Sequence, residues 1–365
     1  MGHGETPIFP VSIFKVKSGI NYNIGDPNYD LFCLAMRVSA KRLFPNFSFL
    51  DAPHNAQYYK EGDHNTEVCY MGCRTRVIGN ANDPERETTF GRGNLSFTTI
   101  NLPRLAILAA GDIHKFFYLL KDRMKTVKKQ LLHRFEIQGS KHVYNFPFLM
   151  GQGIWLDSGK LDVNDTIREV LKHGSLSIGF IGLSETLVAL IGKHHGESQE
   201  AQTLGLQIIK FMRDQCDKWA NEMRLNFTLL ATPAEGLSGR FIKIDKEKFG
   251  VIPGVTDKAY YTNSFHVTPS HNISIYDKIK IEAPYHALCN AGHISYVEVD
   301  GMLATNLDAF KSIIDHMYKC GIGYGAINHP VDRDPICGYT GIIDEECPCC
   351  GRREVEIHRE TIKKL

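Results

Sequence analysis

The chain has 365 residues, 43% hydrophobic and 23% charged, enough to bury one large domain or two of ordinary size. A formal net charge of +1 gives no global field able to hold duplex DNA against salt, so nucleic acid is not an expected partner. No stretch reaches the ~20 apolar residues of a bilayer-spanning helix, and the amino end, MGHGETPIFP, lacks the charged-then-apolar layout of a secretory leader; a cytoplasmic location without membrane partners is expected.

Asp26 and Pro27 followed by YDLFCLAMRVSAKRLF predict a capped helix with Leu31, Leu34, Ala35, Val38 and Leu43 on its buried face, ended by Pro45. From Tyr58 to Gly93 the composition turns polar, interrupted by VCYMGC and RVI, which predicts a long loop with short extended pieces. Loops of that length inside a compact domain usually carry function. Pro103 opens a helical stretch through Phe135, ending in basic residues as the helix dipole favours. A second helical region covers about Glu185 to Arg224, broken from His194 to Glu197. SIGFIGL, FTLLATP, YYTNSFHV and ISYVEVDG read as strands, and strands alternating with long helices indicate an α/β fold. Leu303 to Lys319 is one more amphipathic helix, after which the chain becomes a turn-rich module. A boundary near Cys320 divides residues 1–320 from 321–365.

Of ten cysteines, Cys337, Cys347, Cys349 and Cys350 crowd the end, a pattern of thiolate chemistry and metal rather than disulfides. In CPCCG the tight turn leaves the sulfurs of Cys347 and Cys350 on one side, where they can bite a zinc ion, with Cys337 as a third ligand. The fourth is open among Asp334, Cys349 and His329; Asp334, in DPIC, stands where a zinc ribbon has cysteine and ranks first on spacing. Reduced cysteines in a small loop are the plainer reading. Cys33, Cys69, Cys73, Cys216, Cys289 and Cys320 are by default small buried hydrophobes. Cys73, in YMGCRTRVIG, is flanked by Arg74 and Arg76, the surroundings of a reactive thiol. In FGRGNLSFTTINLPRLA, Gly91 and Gly93 allow close backbone approach, so Asn94 either presents its amide to a cavity or merely follows a glycine-rich turn. In FTLLATPAEGLSGRF, Thr232, Ala234, Glu235 and Gly236 offer backbone amides suited to a phosphate at a helix start, or else form an ordinary connection with Thr232 as N-cap. His194 and His195 read as solvated in a surface turn; His286 and His293, between a proline turn and a strand, read as satisfied core histidines.

Taken in order, GETPIFPVSIFKVKSGINYN, DPNYDLF, AKRLFPNFSFLDAP, MGCRTRV, GRGNLSFTTINLPRLA, TPAEGLSGRF, GVIPGVTDKAYYTNSFHV, EAPYHALCNAGHISYVEVDG, CGYTG and CPCCG resemble the class III (anaerobic) ribonucleoside-triphosphate reductases of the glycyl-radical enzyme family, over nearly the whole chain. The resemblance implies part of a ten-stranded α/β barrel like that of pyruvate formate-lyase, with a finger loop through its centre and a small zinc-ribbon-like module at the carboxyl end. Cys73 matches the finger-loop cysteine that becomes a thiyl radical and takes the 3'-hydrogen of a ribonucleoside triphosphate; Asn94 matches the asparagine that holds the ribose, and the TPAEG turn would accept phosphate. Formate is the implied reductant and a deoxyribonucleoside triphosphate the product.

The family's amino-terminal regulatory part, first half-barrel and radical glycine have no counterpart in this sequence. The implied cofactors and partners are therefore zinc, a glycyl radical supplied by another segment or chain, the iron–sulfur activase that makes it with S-adenosylmethionine, a complementing amino-terminal chain, and a second copy in a homodimer. Alone, the fragment is expected to be inactive and poorly soluble, because an open half-barrel exposes strand edges. A non-catalytic zinc-bearing interaction fragment is the other reading.

Overall fold

The computed structural model describes residues 10–299, 306–328, 332–334, 336–341, 343 and 346–352. In chain order its elements are β1 (Ile13–Val16), α1 (Tyr29–Arg42), β2 (Asn46–Phe49), α2 (Pro53–Ala56), β3 (Tyr70–Met71), β4 (Thr75–Arg76), β5 (Asn94–Asn101), α3 (Leu102–Ala109), α4 (Ile113–Gly139) and α5 (Arg168–Leu171). There follow β6 (Ser175–Ile181), α6 (Leu183–Ile191), α7 (Gln199–Met223), β7 (Asn226–Ala231), α8 (Glu235–Phe249), α9 (Ile275–Leu288), β8 (Ser295–Glu298), α10 (Leu307–Cys320), β9 (Tyr324–Asn328), β10 (Asp332–Arg333) and β11 (Thr340–Gly341). The chain divides into two compact units, residues 1–51 with 294–365, and residues 52–293.

In the first unit the sheet order is β1-β2-β9-β8, with β2 and β9 antiparallel and the outer pairs parallel. Cys320 is the last residue of α10, inside this unit. The face of α1 differs from expectation: Leu31, Leu34 and Val38 are 48, 49 and 40% exposed, while Phe32, Ala35, Met36, Ser39 and Ala40 are buried. Aromatic packing decides the rotation, since the Phe32 ring lies 6.0 Å from Phe14 and 6.4 Å from Phe47 and brings far more area to the core than any one aliphatic side chain. Asp26 does not cap the helix; its Oδ2 accepts from the backbone N–H groups of Tyr22 and Asn23 and closes the preceding turn.

The second unit is built on a parallel sheet, β5-β6-β7, whose crossovers are helical. Period-two alternation sorts its faces. Leu176, Ile178 and Phe180 of β6, with Phe227 and Leu229 of β7, join Leu120, Met124, Leu131, Ile208 and Met212 of α4 and α7 in one apolar core. The opposite face carries Ser175, Ser177, Gly179 and Thr228, so it is buried yet polar.

The stretch after Pro103 is two helices rather than one. Ala110 and Gly111 take left-handed backbone, and Asp112 restarts the helix by accepting from the Lys115 N–H at 3.0 Å. Because α4 then runs to Gly139, its basic residues fall short of its last turn. YYTNSFHV is not a strand: the carbonyls of Thr262 and Ser264 accept from Gly182 and Leu183 at the start of α6, and that spends the segment's hydrogen bonds on a helix end. The break before α7 falls where expected, and Ser198 caps that helix. Among the described residues no helix is long and apolar enough to cross a membrane.

Candidate active site

β3 and β4 form a hairpin of two-residue strands, pairing Tyr70 with Arg76 and Met71 with Thr75, and leaving Gly72, Cys73 and Arg74 as its tip. Such a short ladder needs outside support, which the segment 290–292 supplies. Thr75 bridges Gly292, the Arg76 N–H donates to the Ala291 carbonyl (2.8 Å), the Ala291 N–H donates to Leu229 (2.9 Å), and the Ala231 N–H donates to Gly292 (3.0 Å). The hairpin is thereby stitched to β7. Gly292 has φ +142°, and a Cβ there would sit 2.2 Å from the Arg74 carbonyl oxygen, so only glycine fits this close approach.

Half-buried Cys73 at the tip lies within electrostatic range of the Glu235 carboxylate, which the TPAEG turn places at the start of α8. Burial raises its pKa, Arg74 opposes the shift and Glu235 adds to it. This corrects the expected thiolate surroundings: Arg74 and Arg76 are themselves buried, and the sulfur keeps its hydrogen at neutral pH.

Asn94 opens β5. Its Nδ2 donates to the Ser175 hydroxyl at 3.1 Å and to the Ser177 hydroxyl, which in turn pairs with Thr228 Oγ1 at 2.9 Å. Farther along, Thr99 and Thr232 pair at 3.1 Å across Gly179, where a Cβ would lie 2.1 Å from Thr232 Oγ1. Thr232 therefore points to the sheet and is not the N-cap of α8; that position is Ala234, which gives no side-chain cap. The Ala234 N–H is occupied by Asn263 Oδ1 at 2.9 Å, which leaves the Glu235 and Gly236 amides of the first turn to meet an anion. Ser175, Ser177, Thr99 and Thr228 escaped sequence reasoning. Their signal is a hydroxyl or glycine at alternate positions of strands that otherwise read as apolar.

In the first unit, Asp334, Cys337, Cys347 and Cys350 bring their ligand atoms within 4.8 Å of one another. Cys337 Sγ lies 3.5 Å from Cys347 Sγ, and the Cys350 thiol donates to Asp334 Oδ2 at 3.0 Å. The Ile336 N–H donates to Asp334 Oδ1 at 2.8 Å and aims the carboxylate, while the Gly351 N–H closes the CPCCG turn on the Cys347 carbonyl. Three thiolates and a carboxylate suit four-coordinate zinc. Cys349 is exposed and outside the group, and His329 lies outside the described residues.

His194 and His195 are buried rather than solvated: His195 Nε2 donates to the Phe265 carbonyl at 2.8 Å, and His194 Nδ1 accepts from the Gly196 N–H. His286 and His293 are buried as expected, but Pro284 lies inside α9 and makes no turn. Both meet His54, which the sequence did not single out, in a cluster of three.

The family described as anaerobic ribonucleoside-triphosphate reductase matches residues 1–362. The chain is 36% identical over 360 residues to the anaerobic ribonucleoside-triphosphate reductase of Salmonella typhimurium, covering 96% of this chain and 49% of that protein. It resembles the solved anaerobic ribonucleotide reductase of Thermotoga maritima with TM-score 0.70 at 18% identity, covering 95% of this chain and 52% of that one. The B12-independent glycerol dehydratase of Clostridium butyricum follows the same fold with TM-score 0.64 at 11% identity, covering 89% and 47%. These likenesses agree with a partial glycyl-radical-enzyme barrel as the fold class, and the chain spans about half the length of the relatives it matches.

Proposed function

Because the chain belongs to the anaerobic ribonucleoside-triphosphate reductase family, we propose that it forms the catalytic-core half of such an enzyme, reducing ribonucleoside triphosphates through a radical on Cys73. The observation that supports this reading is that the Glu235 carboxylate at the start of α8 acts electrostatically on Cys73 at the hairpin tip, which puts a sulfur fit for hydrogen transfer within range of a helix end fit for phosphate. Hydrogen-atom transfer needs an intact S–H, and the raised pKa of Cys73 preserves it. As a thiyl, Cys73 takes the ribose 3'-hydrogen, forming S–H as C–H breaks, and returns a hydrogen after the 2'-hydroxyl has left as water; two electrons come from formate, oxidised to carbon dioxide. Asn94 holds the ribose from the hydroxyl row of β5–β7, and the amides of Glu235 and Gly236 hold phosphate beside Thr232 and Ala234. The buried sheet and hairpin exclude competing water and fix the reacting atoms.

Radical character reaches Cys73 from a glycyl radical on another segment or chain, made by an iron–sulfur activase with S-adenosylmethionine. Asp334, Cys337, Cys347 and Cys350 hold zinc, which cross-links the loops that carry them. A complementing amino-terminal chain and a homodimeric partner complete the enzyme.

The test supplies the complementing chain, the radical glycine segment and the activase anaerobically and assays deoxyribonucleotides. Activity with the wild-type chain, and none above background with Cys73→Ser of unchanged circular dichroism, is expected. A folded, zinc-loaded chain that binds the activase yet never turns over would overturn the reading in favour of an interaction module.

A further inference from the structure

Unit 52–293 buries three histidines whose nitrogens converge, and nothing in the proposed chemistry uses them. His286 and His293 are fully buried and His54 is 8% exposed; their ligand atoms lie within 4.8 Å of one another, and the rings of His286 and His293 are 4.4 Å apart. The tautomer of His293 follows from its neighbours. Its Nδ1 is 2.8 Å from the Cys289 carbonyl, which can only accept, so Nδ1 carries the hydrogen and Nε2 is the acceptor, taking the Tyr70 O–H at 3.0 Å, a hydrogen bond that metal ligation would replace. A backbone carbonyl on one nitrogen with the other left basic is the support a metal-binding histidine characteristically has. His54 supplies the second, independent observation: its Nε2 is buried with no hydrogen-bond partner. Leaving such a group unsatisfied is destabilising, and a bound cation would offset that cost.

We propose that His54, His286 and His293 form a site for a divalent first-row metal ion of the zinc type, tying α2 and α9 to the base of the hairpin that carries Cys73. Imidazole donors without carboxylate or thiolate select such ions over magnesium or calcium. With Zn–N bonds of about 2.0–2.1 Å the three nitrogens would stand roughly 3.3 Å apart, a contraction within reach of small side-chain rotations. The tie is direct, because Tyr70, in β3, already touches His293.

Arg76 shapes the site in two ways. Its buried guanidinium donates to the His54 carbonyl and to Asn55 Oδ1, and its charge adds to the burial that keeps the three rings neutral, the form that binds metal. The same charge repels a dication, so the site is weaker than the cysteine cluster and loads second. The group of His194, Glu197 and His271 does not compete: His194 Nδ1 is taken by the Gly196 N–H, which leaves the ring hydrogen on the nitrogen that faces Glu197.

The proposal does not depend on the reductase reading, because metal content is read without turnover. The full 365-residue chain is equilibrated anaerobically with zinc chloride, desalted and analysed for metal, alongside His54→Gln, His293→Gln and Cys347→Ser. Wild type should retain one equivalent more than either histidine variant, and Cys347→Ser should retain the histidine-dependent equivalent alone. With cobalt, Cys347→Ser should show visible ligand-field bands without sulfur-to-cobalt charge transfer, and adding His54→Gln should abolish them. His54→Gln removes a nitrogen with no partner, so it tests the site even if His293→Gln misfolds. Folded histidine variants with wild-type metal content, a metal-free Cys347→Ser, or stabilisation of the cluster by small anions but not by zinc would each overturn the proposal.

Discussion

The hairpin at Tyr70–Arg76 and the hairpin at Asp332–Gly341 are built alike, each from two antiparallel strands of two residues, and each presents cysteine. They support it by opposite means. In the first, a lone sulfur sits at a tip that main-chain hydrogen bonds join to segment 290–292 and so to β7. In the second, Asp334 and Cys337 converge with Cys347 and Cys350 from the chain that follows. Ligand spacing makes the second legible in sequence; the first acquires meaning only from what the chain brings to it from residues 229–235 and 290–292.

Removing the sulfur at the first hairpin's tip, and one sulfur from the cluster that the second hairpin joins, gives the largest contrast. Cys73→Ser should abolish deoxyribonucleotide formation while leaving the circular dichroism unchanged, because Cys73 anchors nothing in the ladder. Cys347→Ser should lose the cluster's zinc and loosen residues 332–352, seen as faster amide exchange confined there, because metal binding and local folding are one process in small metal modules. A folded Cys347→Ser that keeps the zinc of the Asp334 cluster would erase the distinction.

Gly292→Ala probes the support of the first hairpin. The new Cβ meets the Arg74 carbonyl and requires strained backbone at φ +142°, so a loss of about 1–3 kcal/mol is expected. Urea denaturation reads that loss, and exchange at Thr75 and Arg76 should rise with it. Unchanged stability would mean that the stitch to β7 does not hold the tip.

How much of this was visible in the chain alone varies with the range of the forces involved. The α/β alternation, the break before α7 and the short extended pieces around Cys73 follow from local pattern. The buried face of α1 did not, because aromatic packing of Phe32 outweighed three aliphatic residues at helical spacing. YYTNSFHV has strand composition, yet its carbonyls are consumed by the start of α6. α9 was hidden by Pro284, read as a turn although the helix carries it in its interior. In the site, spacing named Cys337, Cys347 and Cys350 and left the fourth ligand open with Asp334 ranked first, whereas the electrostatic coupling of Cys73 to Glu235 joins residues far apart in the chain that no local window relates.

Acid should separate the two regions by the groups that fail. In unit 52–293, His195 is buried as the neutral ring, its pKa lowered by burial from the ordinary 6.5 to about 4, with the hydrogen bond to Phe265 opposing the shift. The unfolded chain takes a proton near 6.5 while the folded one resists it until about 4, so the unfolded state binds more protons across that window. Stability is thus at its plateau above 6.5 and falls as the pH drops toward 4, by up to about 1.4 kcal/mol per pH unit from this residue. His195→Gln can keep a donor toward the Phe265 carbonyl and does not titrate, so its urea midpoint should fall less between pH 7 and pH 4.5 than that of wild type. The 332–352 module would lose metal in acid by protonation of its thiolates whether or not His195 is present. Parallel curves for the two proteins would show that the buried ring is not what makes the second unit acid-sensitive.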